Sequence, residues 1–392
     1  MISRLITPFL IAACIACSSV AHADLLVTKK TFSTKNFSTV SGETIAEVNV
    51  GWEAYGKLNE NKDNVILITH FFSGNSHAAG KYTPDDPQPG YWDAIIGPGK
   101  AIDTNKYYVI SSDTLVNAFP NLPHVVTTGP ASINPETGKP YGLDFPVVTI
   151  RDFVNVQHAL LQSLGINKLH AVVGASMGSL QAIEWAAAYP DMVERMVSVI
   201  GAGAMDAWTI TALEHWARPI RLDPNWNGGD YYGGQAPLAG VTNSLVMITQ
   251  QAMHPVAFNA MSPSQEVLPK SALDSVLNGL PATDFWFGGA TQRAPLADAN
   301  HILYLVRANQ LFVAGHDKDL ATGLAQVKAK TLFLPAKNDL LLQPYLAKQA
   351  VEVLEAQGEQ PKYAEIDGTF GHLDGVYNIQ SKADELAEFI NN

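Results

Sequence analysis

The stretch Leu169–Trp185, LHAVVGASMGSLQAIEW, constrains the chain more than any other. Ala171, Val172 and Val173 predict a buried strand, Gly174-Ala175-Ser176-Met177-Gly178 a sharp turn, and Leu180, Ile183 and Trp185 to Ala188 a helix that starts at once. The glycines on either side of Ser176 suit a turn so tight that a side chain at either position would clash. Ser176 is thereby lifted clear of the sheet, and the Met177 amide at the helix N-terminus faces the same spot, where it can stabilise a developing oxyanion. The bland alternative is a glycine-rich turn with an incidental serine. The apolar strand before the turn and the helix after it argue for a nucleophile elbow instead.

Strands and helices alternate around this stretch. Thr44 to Tyr55 alternates apolar and polar residues as a half-exposed strand does, and Asn64 to Gly74 reads as a buried strand running into a loop. Lys106 to Ser111 is a further strand, and Arg151 to Leu164 is the helix before the elbow. After the strand Val193 to Ile200 the pattern turns helical and rich in Trp, Tyr and Met, until Lys330 to Pro335 forms another buried strand. Pro344 to Gln357 then predicts a helix, Lys362 to Ile366 a last strand and Ser381 to Ile390 a last helix. Such alternation implies a mainly parallel sheet with helices on both faces, built from residues 24–204 and 324–392 and interrupted by a helical cap at 205–323.

The first residues, MISRLITPFLIAACIACSSVAHA, carry one charge, an apolar core and small residues at Ala21 and Ala23, which is the pattern of a signal peptide cleaved after Ala23. Ile11-Ala12-Ala13-Cys14 also resembles a lipoprotein box, although the apolar stretch before it is short for one. Both cysteines, Cys14 and Cys17, fall here, so the mature chain can form neither a disulfide nor a cysteine-based metal site. The expected location is periplasmic or secreted. A net charge of −12 argues against nucleic acid and anionic membrane surfaces, and no later run is long and apolar enough to span a bilayer.

An elbow serine needs a base, and an acid to hold that base in the right tautomer. Asp339 lies just past the Lys330 to Pro335 strand, and His372 just past the last strand, so both occupy loops that can converge on Ser176. Alone, each has a structural alternative, a helix cap for the aspartate and a turn for the histidine. His316 with Asp317 and Asp319 forms a rival cluster in the cap, better read as a solvated turn. His70 is expected to bond backbone and shape the loop that supplies the second oxyanion donor, for which Phe72 is the candidate by position. Asp223-Pro-Asn-Trp-Asn-Gly begins like a calcium loop, but its twelfth position is Gly234 where a glutamate is needed, so a turn is expected. Trp208, Trp216, Trp226, Tyr231 and Tyr232 are core candidates that could also line a pocket.

THFFSGNSHAAG (69–80), GYWDAIIGPGKAIDTNKYYVI (90–110), TGPASINPETGKPYGLDFPVVTIRD (128–152), VGASMGSLQAIEWAAAYPD (173–191) and DPNWNGGDYY (223–232), with the Asp339 and His372 loops, make the chain resemble the homoserine O-acetyltransferase family. The resemblance implies the α/β-hydrolase fold and maps Ser176, Asp339 and His372 onto a catalytic triad, with Phe72 and Met177 as oxyanion donors. It further implies an enzyme without cofactor or metal that is acetylated on serine by acetyl-CoA, and that dimerises through its cap helices. The departures concern the acceptor. Family acetyltransferases hold the amino acid with an arginine and a tyrosine on a cap helix, where Asn243 and Gln250 align here, and with an aspartate after the histidine, where Leu373 stands. The loop VNAFPNLPHVVT (116–127) also replaces the family's short glycine-rich loop.

An α-amino acid brings a carboxylate and an ammonium, and burying both without charged partners is costly. The expected activity is therefore that of an exported serine hydrolase cleaving a small ester, or an amide, with water resolving the acyl-enzyme. The alternatives are an O-acyltransferase moving an acetyl group from acetyl-CoA to an alcohol, and a binding module that keeps the fold. A small-molecule ester or acyl donor is the expected partner.

Overall fold

The structure, a computed structural model, describes residues 25–264 and 270–392. The expected signal peptide, with Cys14 and Cys17, lies outside the described residues. One sheet of eight strands organises the rest: β1 (Lys30–Ser38), β2 (Thr44–Tyr55), β3 (Val65–Thr69), β4 (Tyr108–Ser112), β5 (Ala171–Ala175), β6 (Arg195–Val199), β7 (Lys330–Leu334) and β8 (Lys362–Tyr363). Their spatial order is β1-β2-β4-β3-β5-β6-β7-β8. β1 with β2 and β2 with β4 pair antiparallel, and every later neighbour is parallel.

Parallel neighbours need crossovers, and the crossover helices cover both faces of the sheet. β3 and β5 are accordingly buried at every residue and read as apolar runs, β3 ending in Thr69, whose hydroxyl donates to the Gly178 carbonyl. Successive side chains still divide between two cores. Val172 and Met196 pack with Leu67, Ile110 and Phe333 on one face. Val173, Val197 and Val199 pack with Ile66, Ile68, Trp92 and Phe389 on the other.

α1 (Ile150–Ser163) leads into β5 from a capping box in which Thr149 accepts from the Asp152 amide and Asp152 accepts from the Thr149 amide. α2 (Met177–Ala188) follows β5 directly and is buried from Met177 to Ala187; it is mostly apolar, and its buried Gln181 and Glu184 are partnered by Gln157 and Arg151. Between β6 and β7 the described chain forms α3 (Ala207–Leu222), α4 (Leu238–Ala252), α5 (Pro255–Met261), α6 (Pro281–Arg293), α7 (Ala299–Gln310) and α8 (Leu320–Leu324). α9 (Pro344–Ala356), α10 (Asp374–Tyr377) and α11 (Ala383–Asn391) complete it. No helix of the described residues is long and apolar enough to cross a membrane.

Two elements depart from the sequence expectation. β1 was not foreseen, because KTFSTKNFS is mostly exposed and holds only two apolar residues, Phe32 and Phe37, to mark its register on β2. The last strand is shorter than expected: β8 pairs with β7 only at Lys362 and Tyr363, and contact resumes as a single bridge between Ala336 and Ile366.

Candidate active site

Ser176 sits between β5 and α2 with φ 56° and ψ −122°, a conformation that side-chain-bearing residues rarely adopt and that the surroundings must enforce. The flanking glycines permit it. A Cβ on Gly174 would lie 2.1 Å from the Gly178 carbonyl oxygen, and one on Gly178 would lie 2.0 Å from that of Thr69. The Ser176 amide donates to the Val199 carbonyl at 2.9 Å, which ties the turn to β6.

The structure brings Asp339 and His372 to this serine. His372 Nε2 lies 2.7 Å from Ser176 Oγ, and His372 Nδ1 lies 2.6 Å from Asp339 Oδ2. The other Asp339 oxygen, Oδ1, accepts from the amides of Leu341 at 2.8 Å and Leu342 at 3.0 Å. All three side chains are buried, so the pair of contacts is shielded from competing water.

The histidine loop has a support that the sequence did not reveal. The buried Asp374 carboxylate accepts from the Phe370 and Gly371 amides at 3.1 and 2.9 Å, while burial raises its pKa. The Leu373 amide donates to Ala252 at the end of α4 and the His254 amide to Phe370, so the cap is stitched to the same loop.

Phe72 lies in the loop after β3 and Met177 opens α2; among the described residues neither amide donates to a protein acceptor. His70 is buried and its Nδ1 contacts the Phe71 carbonyl oxygen at 2.8 Å; burial lowers its pKa from the ordinary histidine value. Behind this loop lies a buried ionic network. Glu53 meets Lys29 at 2.8 Å and His77 at 3.1 Å, Tyr55 Oη accepts from the Ala78 and Ala79 amides, and Asp113 accepts from the Ser76 amide. Burial works to raise the Glu53 pKa, but its bonds with His77 and Lys29 hold it below the ordinary value.

Two cavities meet at Phe72. Met205, Leu213, Trp216 and Leu342 close one of about 20 Å³ against Ser176. The other, of about 160 Å³, is walled by Phe71, Phe119, Leu245, Ile302, Leu373 and Val376, with Arg293 and Tyr377 among its polar residues. Leu373 therefore does lie at the site. Asn243 and Gln250 do not: both are exposed, and Asn243 bonds back to the Ala239 carbonyl of its own helix. Seven residues apart, they share one face of α4, whereas Leu245, Ile248, Thr249 and Ala252 turn the opposite face into the cavity. Thin similarity gave the alignment without the helix face, and the structure corrects it.

The remaining candidates, apart from Trp208 and Trp216, serve the scaffold. His316 ends a short turn whose Gly315 and His316 amides face the Glu184 carboxylate of α2, and Asp319 caps α8. Asp223 accepts from the Asn225 and Gly240 amides. Of the cap aromatics Trp208 is 65% exposed, Trp226 bonds Asn300, and Tyr231 and Tyr232 both donate to Asp298. Trp216 alone among them lines the Ser176 cavity, with its ring edge-on to Phe72 at 5.1 Å.

Comparison with known proteins agrees with this architecture. A family model described as the alpha/beta hydrolase fold matches residues 112–256. The homoserine O-acetyltransferase of Symbiobacterium thermophilum is 38% identical over 336 residues, covering 85% of this chain and 86% of the relative. The crystal structure of homoserine O-acetyltransferase from Bacillus anthracis superposes with a TM-score of 0.89 at 39% identity, over 94% of this chain and 98% of that one. The crystal structure of esterase E22 superposes with a TM-score of 0.91 at 57% identity, over 93% of this chain and all of that one.

Proposed function

The chain belongs to the homoserine O-acetyltransferase family of α/β-hydrolase-fold enzymes, and from that premise we propose that it is an exported serine esterase. Leu373 carries the reading: the residue beside His372 is apolar, and among the described residues no carboxylate lines the larger cavity to receive an ammonium group. An amino-acid acceptor would leave that ammonium buried without a partner, at a cost on the order of several kcal/mol. Water needs no such recognition. The 57% identity to an esterase supports the same choice.

In this reading His372 Nε2 takes the Ser176 proton as Oγ attacks the ester carbonyl, and the Met177 and Phe72 amides receive the oxyanion. His372, held in one tautomer by Asp339, gives the proton to the departing alkoxide. Water, deprotonated by His372 in turn, then releases the acid. A cavity of about 20 Å³ beside Ser176 supports a short acyl group of acetyl size. Cleavage after Ala23 and export belong to the same proposal, and outside the cell acetyl-CoA is essentially absent. The exposed Leu273, Val276, Leu277 and Phe285 of the cap support association of two copies, which light scattering of the purified mature chain tests.

Acetyl transfer from acetyl-CoA to an alcohol is the second reading, favoured by similarity to homoserine O-acetyltransferases over most of the chain. The two share one acyl-enzyme and differ in what resolves it. Incubation with acetyl-CoA and homoserine, following O-acetylhomoserine and free CoA separately, decides between them. No O-acetylhomoserine above background, with brisk hydrolysis of short esters, supports the esterase; transfer at a rate comparable to hydrolysis refutes it.

A further inference from the structure

The alcohol half of the ester must lie where His372 can protonate its oxygen, and the cavity walled by Leu373, the residue after His372, adjoins the Ser176 cavity at Phe72. That wall is apolar except for Ser73, Thr249, Arg293 and Tyr377. Thr249 is already committed to the Leu245 carbonyl at 2.8 Å. Arg293, the last residue of α6, is different. Among the described residues it makes no ion pair and no hydrogen bond, and its guanidinium stands 5.5 Å over the Phe119 ring. The partly buried Arg151 and Arg195, by contrast, each meet a carboxylate, at Glu184 and Glu194.

The residue is exposed toward solvent, so a ligand can reach it, and its guanidinium rests over the Phe119 ring. Burial lowers the Arg293 pKa and Tyr377 opposes the shift, but a guanidinium stays charged throughout the working range. A cation that lines a largely apolar cavity and is left without a protein counter-charge is a place for an anion, and its planar fork matches a carboxylate.

We infer that Arg293 sets substrate specificity by receiving the carboxylate of an ester whose alcohol half is a hydroxy acid. The inference rests on the esterase reading, and it specifies the substrate class of the same site: an anionic ester, with no amino group. Hydrolysis then yields a short acid and a free hydroxy acid, with Ser176 acylated and regenerated in each turn.

The test compares the acetyl ester of γ-hydroxybutyrate with the matching neutral carboxamide. Wild-type kcat/KM should favour the anionic ester by about tenfold or more, the span of a charge-assisted contact. Arg293→Met should bring that ratio close to one, Arg293→Lys should restore part of it, and Arg293→Glu should shift preference toward acetylcholine. A wild-type ratio near one, or a ratio that Arg293→Met leaves intact, overturns the inference. Hydrolysis of p-nitrophenyl acetate reports separately on the esterase reading, since that ester has no carboxylate to place. Calorimetric binding of the anionic ester to the Ser176→Ala protein tests the contact without turnover: affinity lost on adding Arg293→Met supports it, and unchanged affinity refutes it.

Discussion

Replacing Asp339 by asparagine changes one atom and reverses one hydrogen bond. Asp339 Oδ1 accepts from two backbone amides, at 2.8 and 3.0 Å, while Oδ2 faces His372 Nδ1 at 2.6 Å. In Asp339→Asn the two amides hold the side-chain oxygen, because turning the group over would set its NH₂ against two N–H donors. The NH₂ then faces Nδ1, which can only accept, and the imidazole proton moves to Nε2. There it points at Ser176 Oγ, 2.7 Å away, and the serine has lost its base. The wrong tautomer should lower kcat by about 10⁴, equivalent to about 5.5 kcal/mol of transition-state stabilisation. Steady-state hydrolysis of p-nitrophenyl acetate measures the loss, and the thermal unfolding midpoint shows whether the fold persists. A folded variant that keeps more than about a tenth of wild-type kcat would refute the assignment of Asp339.

Three other outcomes follow from the structure. Gly178→Ala should fail to fold or unfold at much lower temperature, since its Cβ meets the Thr69 carbonyl at 2.0 Å, whereas Gly288→Ala, with nothing within 4 Å, should match or exceed wild type in a thermal melt. Trp216→Ala should raise the hexanoate-to-acetate ratio of kcat/KM by about tenfold or more as the cavity at Ser176 opens; an unchanged ratio would place the acyl group elsewhere. Burial lowers the pKa of both His70 and His301, so below about pH 6.5 the unfolded chain takes up protons that the folded state refuses, and stability should fall with pH through that point. A melting temperature that stays level from about pH 7 to 5 would contradict this.

How legible each part was depends on whether its signal is local. The elbow was readable because the strand, the two glycines and the helix sit within a few residues of Ser176. Asp339 and His372 were readable as polar residues just beyond strand ends, a position that a parallel sheet directs to one edge. The acceptor side was harder. Asn243 and Gln250 were placed by alignment, although the spacing of Leu245, Ile248, Thr249 and Ala252 already marked the inward face of α4. Arg293 gave no local sign: an arginine closing a helix usually answers the helix dipole, and only the tertiary structure shows it beside Leu373 without an acceptor. The Lys29, Glu53 and Asp113 network likewise joins residues that no short pattern links.

The most direct measurement is peptide mapping after a brief reaction with p-nitrophenyl acetate, quenched in acid, in the wild-type enzyme and in Ser176→Ala. An acyl-enzyme mechanism predicts an acetyl adduct on the peptide bearing Ser176, formed with the burst of p-nitrophenol, lost on the timescale of turnover, and missing from Ser176→Ala together with the burst. An adduct on another residue, or turnover in Ser176→Ala at the wild-type rate, would contradict it.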